Sequence, residues 1–257
     1  MNHAVGVGYS LLKIRWIPIV LLTLIAVASC VALYTVLTVD MTKSRETVFQ
    51  VAAFKPFAEG EYDGTTTYAE LAKHGDFGIG TLNGLDGEMV ALDGVFYQIA
   101  VDGKPRQIIS TEETPFALVT FFEADQTLHV ADAMNYTELK AYIDQNISPE
   151  DAMYAIKVHG VYDYAKTRSV PMQKEPYPAL TEVIENQTVF TLNNVTGTTA
   201  GFRLPSYMEQ INVAGYHFHF IADDELSGGH LLDCIVRNAT IEIDYTYDYE
   251  LALPENP

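Results

Sequence analysis

The sequence predicts an α+β fold rich in strands, with mixed and antiparallel sheets, a few short helices, and an N-terminal hydrophobic segment in front of them. Three observations support this prediction. A hydrophobic run occupies the N-terminus, turn dipeptides separate short apolar runs, and the residues from Ile241 to Leu251 alternate between apolar and polar types. An alternation with a period of two is typical of a strand with one buried and one solvated face.

The N-terminal segment has the length and polarity of a membrane anchor or an export signal. The stretch 17–39 has no charge and is apolar apart from Thr, Ser and one Pro, and the basic Lys13 and Arg15 precede it. A helix that spans a bilayer needs about 20 such residues. We therefore assign residues 1–45 to a signal or membrane-anchor segment with its linker. We expect the protein to be exported or membrane-anchored, with the region that follows residue 45 outside the cytoplasm.

Three fates of this segment remain open, because it can be retained, cleaved or lipidated. Ala26–Ala28 resembles a signal-peptidase site, and Val27–Cys30 resembles a bacterial lipobox in which Cys30 would carry the lipid. The residues that follow Cys30, beginning with Val31, stay apolar, whereas a mature N-terminus is usually polar.

The charge of the chain argues against nucleic acid as a partner. The 257 residues include 15 Lys and Arg against 34 Asp and Glu, a formal net charge of −19. Nucleic-acid phosphates are bound by basic surfaces, whereas a small anionic substrate needs only one local positive group. The two cysteines, Cys30 and Cys234, provide neither a disulfide framework nor a cysteine zinc site.

Short helices are predicted at three places. Thr67–Glu70 forms a capping box and Gly75 a stop, which predicts a helix near 68–74. Asn135–Glu138 forms a second capping box, followed by the apolar face of a second helix. Pro178 is suited to the first position of a third helix.

Strands are predicted over most of the remaining chain. Hairpin-type dipeptides, in which Asn or Asp precedes Gly, separate the first three of them. A continuous apolar strand and two longer segments, each punctuated by a glycine, come later. The predicted strands are Phe77–Leu82, Glu88–Leu92, Val95–Ala100, Phe116–Glu123, 153–164 and 188–204.

Three histidines form a candidate metal site. His217 and His219 lie in the predicted strand Gly215–Phe220, so their side chains share one face, about 6.6 Å apart along the strand. His230 opens the next predicted strand after a polar loop that ends in two glycines, and a hairpin can return it beside the pair. Three neutral imidazoles on one face suit Zn²⁺ and leave coordination positions open. The alternative is a polar face exposed to water.

Several motifs resemble those of bacterial α-acetolactate decarboxylases, in the same order, from about residue 48 to the C-terminus. They are His74–Thr81, Leu85–Met89, Thr167–Pro171 and the three histidines. The resemblance implies decarboxylation of 2-acetolactate to acetoin and CO2. It also implies a two-domain α/β fold, with subdomains of roughly 46–150 and 151–257 within a catalytic region 46–257, and a homodimer.

The same resemblance implies roles for individual residues. It implies Zn²⁺ as the cofactor, on His217, His219 and His230. Glu88 would be catalytic, Arg168 both catalytic and substrate-binding, and Thr81 part of the substrate pocket. The residues alone favour an exposed strand residue for Glu88 and a surface charge for Arg168, and both functional roles depend on the resemblance.

Two features, the N-terminal hydrophobic segment and a C-terminus that is short for the family, leave another function open. Family members carry a further glutamate in a C-terminal tail that folds over the site, for which Glu250 and Glu255 are the candidates here. A membrane-anchored metal-binding or sensing protein with a degenerate decarboxylase site is therefore the alternative. A metallohydrolase is less well supported, because no H-E-x-x-H motif accompanies the histidines.

Overall fold

Strands make up most of the part of the chain that the structure describes. The structure is a computed structural model, and it describes residues 24–31, 34, 46–149 and 151–254. Its strands are Thr47–Val51 (β1), Thr66–Thr67 (β2), Phe77–Gly80 (β3), Glu88–Leu92 (β4), Val95–Ile99 (β5), Pro105–Gln107 (β6), Glu113–Thr114 (β7), Ala117–Thr120 (β8), Gln126–Val130 (β9), Met134–Asn135 (β10), Met153–Ser169 (β11), Thr188–Leu204 (β12), Gly215–Ala222 (β13), Gly228–Thr246 (β14) and Asp248–Ala252 (β15).

The helices within the same residues are few and short. The α-helices are Phe54–Ala58 (α1), Tyr68–Leu71 (α2), Tyr136–Asn146 (α3) and Leu180–Glu185 (α4), and short 3₁₀ helices lie at Asn83–Leu85 and Ser206–Met208. The prediction of a strand-rich fold with a few short helices is thus confirmed. The predicted capping box of α3 is also present, because Asn135 accepts hydrogen bonds from the Thr137 and Glu138 N–H groups and Glu138 accepts one from the Asn135 N–H.

The chain divides into two compact units, Met1–Lys43 and Ser44–Pro257. In the first unit, residues 24–31 are helical. None of the helices that the structure describes has the length and apolarity needed to cross a bilayer, and most of the predicted anchor 17–39 lies outside the described residues. The signal or anchor therefore stays a prediction, as do its cleavage and lipidation.

Two large sheets build the second unit. The first has seven strands in the order β15-β1-β8-β3-β4-β5-β6, antiparallel except for the parallel pair β1 and β15. The second has the order β10-β14-β11-β12-β13, with β9 beside β14. In addition, β13 pairs with the beginning of β14. This pairing closes the ring β11-β12-β13-β14. At one end of the sheet, the beginning of β14 therefore lies between β11 and β13.

The apolar core has three clusters, one between the two sheets and one on the outer face of each sheet. One cluster joins facing residues of the two sheets, including Ile79 and Leu118 from the first and Ala155 and Phe202 from the second. A second cluster lies between the other face of the second sheet and α3, and a third lies between the other face of the first sheet and α2. The functional groups described below lie on the side of the first cluster, between the sheets.

The predicted C-terminal strand differs from the observed one. The alternation from Ile241 to Leu251 indicated one antiparallel strand, but β14 ends at Thr246 and β15 joins the other sheet, parallel to β1. The chain turns there because the carbonyl group of Glu46 accepts hydrogen bonds from the N–H groups of both Tyr247 and Asp248. The predicted helix start at Pro178 is also wrong by two residues, since Ala179 has an extended backbone and caps α4.

Asp244, predicted on the solvated face, is buried, and this predicts a dependence of stability on pH. Burial raises the pKa of Asp244 to about 7, and the negative charges of Asp125, Glu46 and Glu123 act in the same direction. In the unfolded chain the Asp244 carboxyl group loses its proton near pH 3.9. The contribution of this group to the free energy of unfolding is therefore at its full value below about pH 4 and is lost as the pH rises through 7. Asp244→Asn removes the ionisable group and keeps an oxygen that can accept the Glu123 N–H bond.

We therefore expect Asp244→Asn to raise the free energy of unfolding at pH 8 by about 1–3 kcal/mol relative to the unsubstituted protein. The difference should shrink towards zero near pH 4. Urea titrations at both pH values, with saturating metal, measure it. An equal difference at the two pH values would show that the substitution acts through packing alone.

Candidate active site

The register of three strands assembles the histidines. His230 in β14 lies directly opposite His219 in β13 and, on its other side, directly opposite Arg168 in β11. Directly opposed residues of antiparallel strands point to the same face, and His217 shares that face because it precedes His219 by two residues. The ring centroids of the three histidines lie 5.0–5.3 Å apart. The sequence prediction that these three side chains converge is confirmed.

Two glycines let β14 approach both neighbouring strands. Gly229 has φ +133, and a Cβ atom there would lie 2.4 Å from the carbonyl oxygen of Arg168. A Cβ atom on Gly228 would lie 2.6 Å from the carbonyl oxygen of Phe220. Backbone atoms cannot give way as a flexible side chain can. The two glycines before His230 are therefore what allows this histidine to lie between Arg168 and His219.

Gly229→Ala should weaken metal binding, because the new methyl group must push β14 away from Arg168 and displace His230 with it. We expect the dissociation constant for zinc to rise about tenfold or more, on the scale of other disturbances to the surroundings of a metal ligand. Zinc titration against a chelating dye measures this. Gly215→Ala is the control, since Gly215 also has positive φ (+83) but has nothing within 4 Å of its added Cβ. Similar zinc affinities in the two variants would contradict the steric explanation.

The nitrogen atoms of the cluster fit a cation. Within the described residues, Nδ1 of His217, Nε2 of His219 and Nδ1 of His230 are buried and have no hydrogen-bond partner. One nitrogen from each ring lies within 4.8 Å of the others. Buried polar atoms without partners are costly, and a bound metal ion would satisfy such atoms.

The protonation state of the cluster also fits a cation. Burial lowers the pKa of His217 to about 4 and lowers the pKa values of His219 and His230 well below the usual range. Nδ1 of His219 lies 2.7 Å from the carbonyl oxygen of Met89. Donation of a hydrogen bond there leaves Nε2 with a free lone pair, the usual arrangement for a histidine ligand. The three histidines are therefore neutral, as metal ligands must be.

Glu88, which is buried, and Arg168, which is largely buried, lie beside the histidines. Glu88 is 7% exposed. One of its oxygens is 3.4 Å from Nε2 of His219, and the other is 4.0 Å from Nη2 of Arg168. Burial raises the pKa of Glu88 to about 7, although the Arg168 charge acts in the opposite direction. Neither residue is the exposed surface group that the bare sequence favours.

The alternation of β4 explains why Glu88 points inward. Met89 and Ala91 pack in the cluster on the outer face of the first sheet, whereas Val90 packs between the sheets. Glu88 shares the face of Val90, because the two are two positions apart in a strand. The second sheet presents His219 and Arg168 to that same space.

Thr81 is buried and lines the same cavity, where its hydroxyl group supports the turn before Glu88. The hydroxyl donates to the carbonyl oxygen of Gly87 at 2.7 Å. The backbone carbonyl of Thr81 accepts hydrogen bonds from the hydroxyl groups of Tyr68 and Thr114. Thr81 thus has a position in the cavity wall and a structural hydrogen bond at the same time.

A cavity of about 280 Å³ joins these groups and has a largely apolar wall. Sequence reasoning did not identify this wall, because its aromatic and aliphatic residues look like ordinary core. The residues lining the cavity are Phe54, Phe57, Gly80, Thr81, Leu85, Glu88, Phe116, Arg168, Val170, Leu180, Ile184, Val213, Tyr216, His217, His219 and His230. Glu250 is exposed in β15 and is not part of this lining, and Glu255 lies outside the described residues.

Comparisons with known proteins identify the family of the chain. The family model for alpha-acetolactate decarboxylase matches residues 48–257. The alpha-acetolactate decarboxylase of Methylococcus capsulatus is 45% identical over 208 residues, covering 81% of this chain and 80% of the relative. That of Methanosarcina mazei is 43% identical over 209 residues, covering 81% of this chain and 73% of the relative.

A solved structure shows the same fold. The crystal structure of alpha-acetolactate decarboxylase from Bacillus subtilis strain 168 superposes with a TM-score of 0.80 at 35% sequence identity, covering 82% of this chain and 90% of that chain. The match to the family model spans both sheets except for Thr47 at the start of β1, and its range includes the three histidines. The chain therefore belongs to the α-acetolactate decarboxylase family.

Proposed function

We infer that the reaction of the family, decarboxylation of 2-acetolactate to acetoin and CO2, takes place in the cavity beside the histidine cluster, with zinc held by His217, His219 and His230. One observation carries this proposal. A cluster of three neutral histidines, a buried carboxyl group and a guanidinium group line a single cavity. This combination matches what loss of CO2 and later protonation require.

The substrate is a 2-hydroxy-3-oxo acid, and the bond that breaks is C1–C2. Its electron pair remains on C2 when CO2 leaves and delocalises into the C3 ketone as an enediolate. Addition of a proton to C2 then gives acetoin. Zinc, when bound, supplies Lewis-acid stabilisation of the negative charge that develops on the oxygens. The protein must bind a carboxylate, exclude water and deliver one proton.

We assign binding of the substrate carboxylate to Arg168. Its side chain is largely buried, it lines the cavity, and its strand position opposite His230 fixes it beside the metal ligands. A guanidinium group donates two parallel hydrogen bonds to a carboxylate and keeps its charge when buried. The apolar wall, which includes Phe54 from α1 and Leu180 from α4, suits the methyl groups of the substrate and excludes water.

We assign delivery of the proton to Glu88. Burial favours the protonated form of its carboxyl group, and its two oxygens face His219 and Arg168. A buried carboxylic acid beside the reacting carbon can act as a general acid. Thr81 supports it through the hydrogen bond to Gly87, the residue immediately before Glu88.

Arg168→Lys should raise KM for acetolactate, because lysine retains the charge but lacks the planar fork that binds a carboxylate through two hydrogen bonds. We expect an increase of about tenfold or more, and a smaller fall in kcat. Steady-state kinetics with zinc in excess measure both constants. Arg106→Lys, at an exposed position that pairs with Asp102, is the control. An unchanged KM for Arg168→Lys would remove Arg168 from substrate binding.

Elemental analysis tests the identity of the metal. Imidazole nitrogen also suits copper, iron and nickel, but a tetrahedral site with three protein ligands is typical of catalytic zinc. We expect about one zinc per chain in active protein. We expect metal-free protein to recover activity on addition of zinc. Active protein that lacks stoichiometric metal would contradict the proposal.

The location and assembly of the enzyme are also proposals. The apolar stretch 17–39 motivates export or membrane anchoring, with the catalytic region outside the cytoplasm. Protease treatment of intact cells tests it, because only an external catalytic region would be digested. A homodimer is proposed from membership of the family, and light scattering measures the mass directly.

A further inference from the structure

Both residues that flank Arg168 are completely buried and carry hydroxyl groups. Thr167 and Ser169 have 0% exposure. Each hydroxyl donates to a backbone carbonyl group on a different strand, Thr167 to Gly228 at 2.9 Å and Ser169 to Ile99 at 2.8 Å. These bonds connect β11, which carries Arg168, to two other strands. One is β14, which carries His230, and the other is β5, which pairs with the strand of Glu88.

The Thr167 bond leads to the metal ligands. Gly228 begins β14, two residues before His230, and it also lies opposite Ile221 in β13. Its carbonyl group accepts from Thr167, and its N–H group donates to the carbonyl group of Gly103. The start of β14 is thereby fixed from two sides, immediately before the histidine that lies opposite His219.

The Ser169 bond leads to the proton donor. Ile99 in β5 lies directly opposite Glu88 in β4. The hydroxyl group of Ser169 therefore connects β11 of the second sheet to the strand pair of the first sheet that carries Glu88. Nη2 of Arg168 and Oε1 of Glu88 lie 4.0 Å apart, and these two residues belong to the two sheets that the Ser169 hydrogen bond connects.

We propose that Thr167 and Ser169 are positioning residues with separate tasks. Thr167 fixes His230 for metal binding, and Ser169 fixes the distance between Arg168 and Glu88 for substrate binding and protonation. This proposal rests on the proposed function, since it assumes a metal on the histidines and a substrate beside Glu88. Neither residue touches the reacting atoms, so each acts through the neighbour whose strand it holds.

Thr167→Val tests the first task, because valine keeps the shape and removes the donor. We expect the zinc dissociation constant to rise about tenfold, on the scale of residues that orient a metal ligand. With zinc in excess, KM should stay within about twofold of the original value, since a tenfold change would signal a lost interaction. Thr167→Ser, which keeps the hydroxyl group, should restore zinc affinity.

Ser169→Ala tests the second task. We expect kcat/KM at saturating zinc to fall about fivefold or more, the effect of one lost buried hydrogen bond, with zinc affinity equal to that of the unsubstituted protein. Ser169→Thr keeps the donor and should recover kcat/KM. If Ser169→Ala fails to fold by circular dichroism, Ser169→Cys, a weaker donor of similar size, takes its place with the same expectation.

All variants are made in the full chain and compared by zinc titration, thermal unfolding and kinetics. Opposite patterns for Thr167→Val and Ser169→Ala support the proposal. It is overturned if both variants change the same constant, or if neither changes any, while the unsubstituted protein binds zinc and forms acetoin. An unsubstituted protein that neither binds zinc nor forms acetoin overturns the proposed function itself, and this proposal with it.

Discussion

Glu88→Gln should lower kcat for acetoin formation about a thousandfold, within the range that general acid catalysis contributes. Glutamine has nearly the shape of glutamic acid but cannot transfer a proton to C2. Zinc should remain bound, because the three histidine ligands are unchanged. Steady-state kinetics together with elemental analysis measure both properties.

Two controls make the Glu88→Gln result specific. Glu209→Gln alters an exposed glutamate and should leave kcat unchanged. Thermal unfolding should show that Glu88→Gln is folded, since burial already disfavours the charged form of Glu88 and glutamine removes that charge while keeping nearly the same shape. A folded, zinc-bound Glu88→Gln enzyme with normal kcat would assign the proton to another donor.

His219→Ala should abolish both stoichiometric zinc binding and measurable decarboxylation. His219 is 1% exposed, lies opposite His230, and is held by the Met89 carbonyl group, and it is one of the three residues that supply a nitrogen to the cluster. The substitution removes one of three ligands and leaves a buried cavity, and both changes lower the affinity for zinc. Zinc analysis and a product assay on the same preparation test the prediction.

His159→Ala is the matched control for His219→Ala. His159 lies in β11 at the surface, with about half of its side chain exposed, and pairs with Asp223. We expect normal zinc content and normal turnover in this variant. His219→Ala protein that is folded and still binds one zinc per chain would contradict the assignment of the three histidines as metal ligands.

Much of the fold could be predicted from local sequence signals. The Asn-Gly and Asp-Gly dipeptides located the hairpins of the first sheet, and the capping box located α3, because these features depend only on residues close in sequence. The passage of the chain from β14 to β15 was missed, because the alternation continues across Tyr247 and gives no sign that β15 pairs with β1. Strand partners far apart in sequence are not specified by periodicity.

The candidate site was predictable to a lesser degree. The spacing of His217, His219 and His230 indicated a metal site from strand geometry, whereas Glu88 and Arg168 depended on family resemblance. Their burial and their closeness to the histidines result from the packing of two sheets. Partners of Ser169 and Thr167 could not be predicted at all, since a hydroxyl group gives no indication of which distant carbonyl group it will bind.

The most direct test of a zinc-dependent decarboxylase is to measure acetoin and CO2 formed from 2-acetolactate by the protein in three states. These states are metal-free protein, the same preparation with one equivalent of zinc, and a separately prepared, zinc-loaded Glu88→Gln variant. We expect turnover only in the second state, with acetoin and CO2 in equal amounts. Turnover by metal-free protein at the rate of the zinc-loaded enzyme would contradict the role assigned to the three histidines.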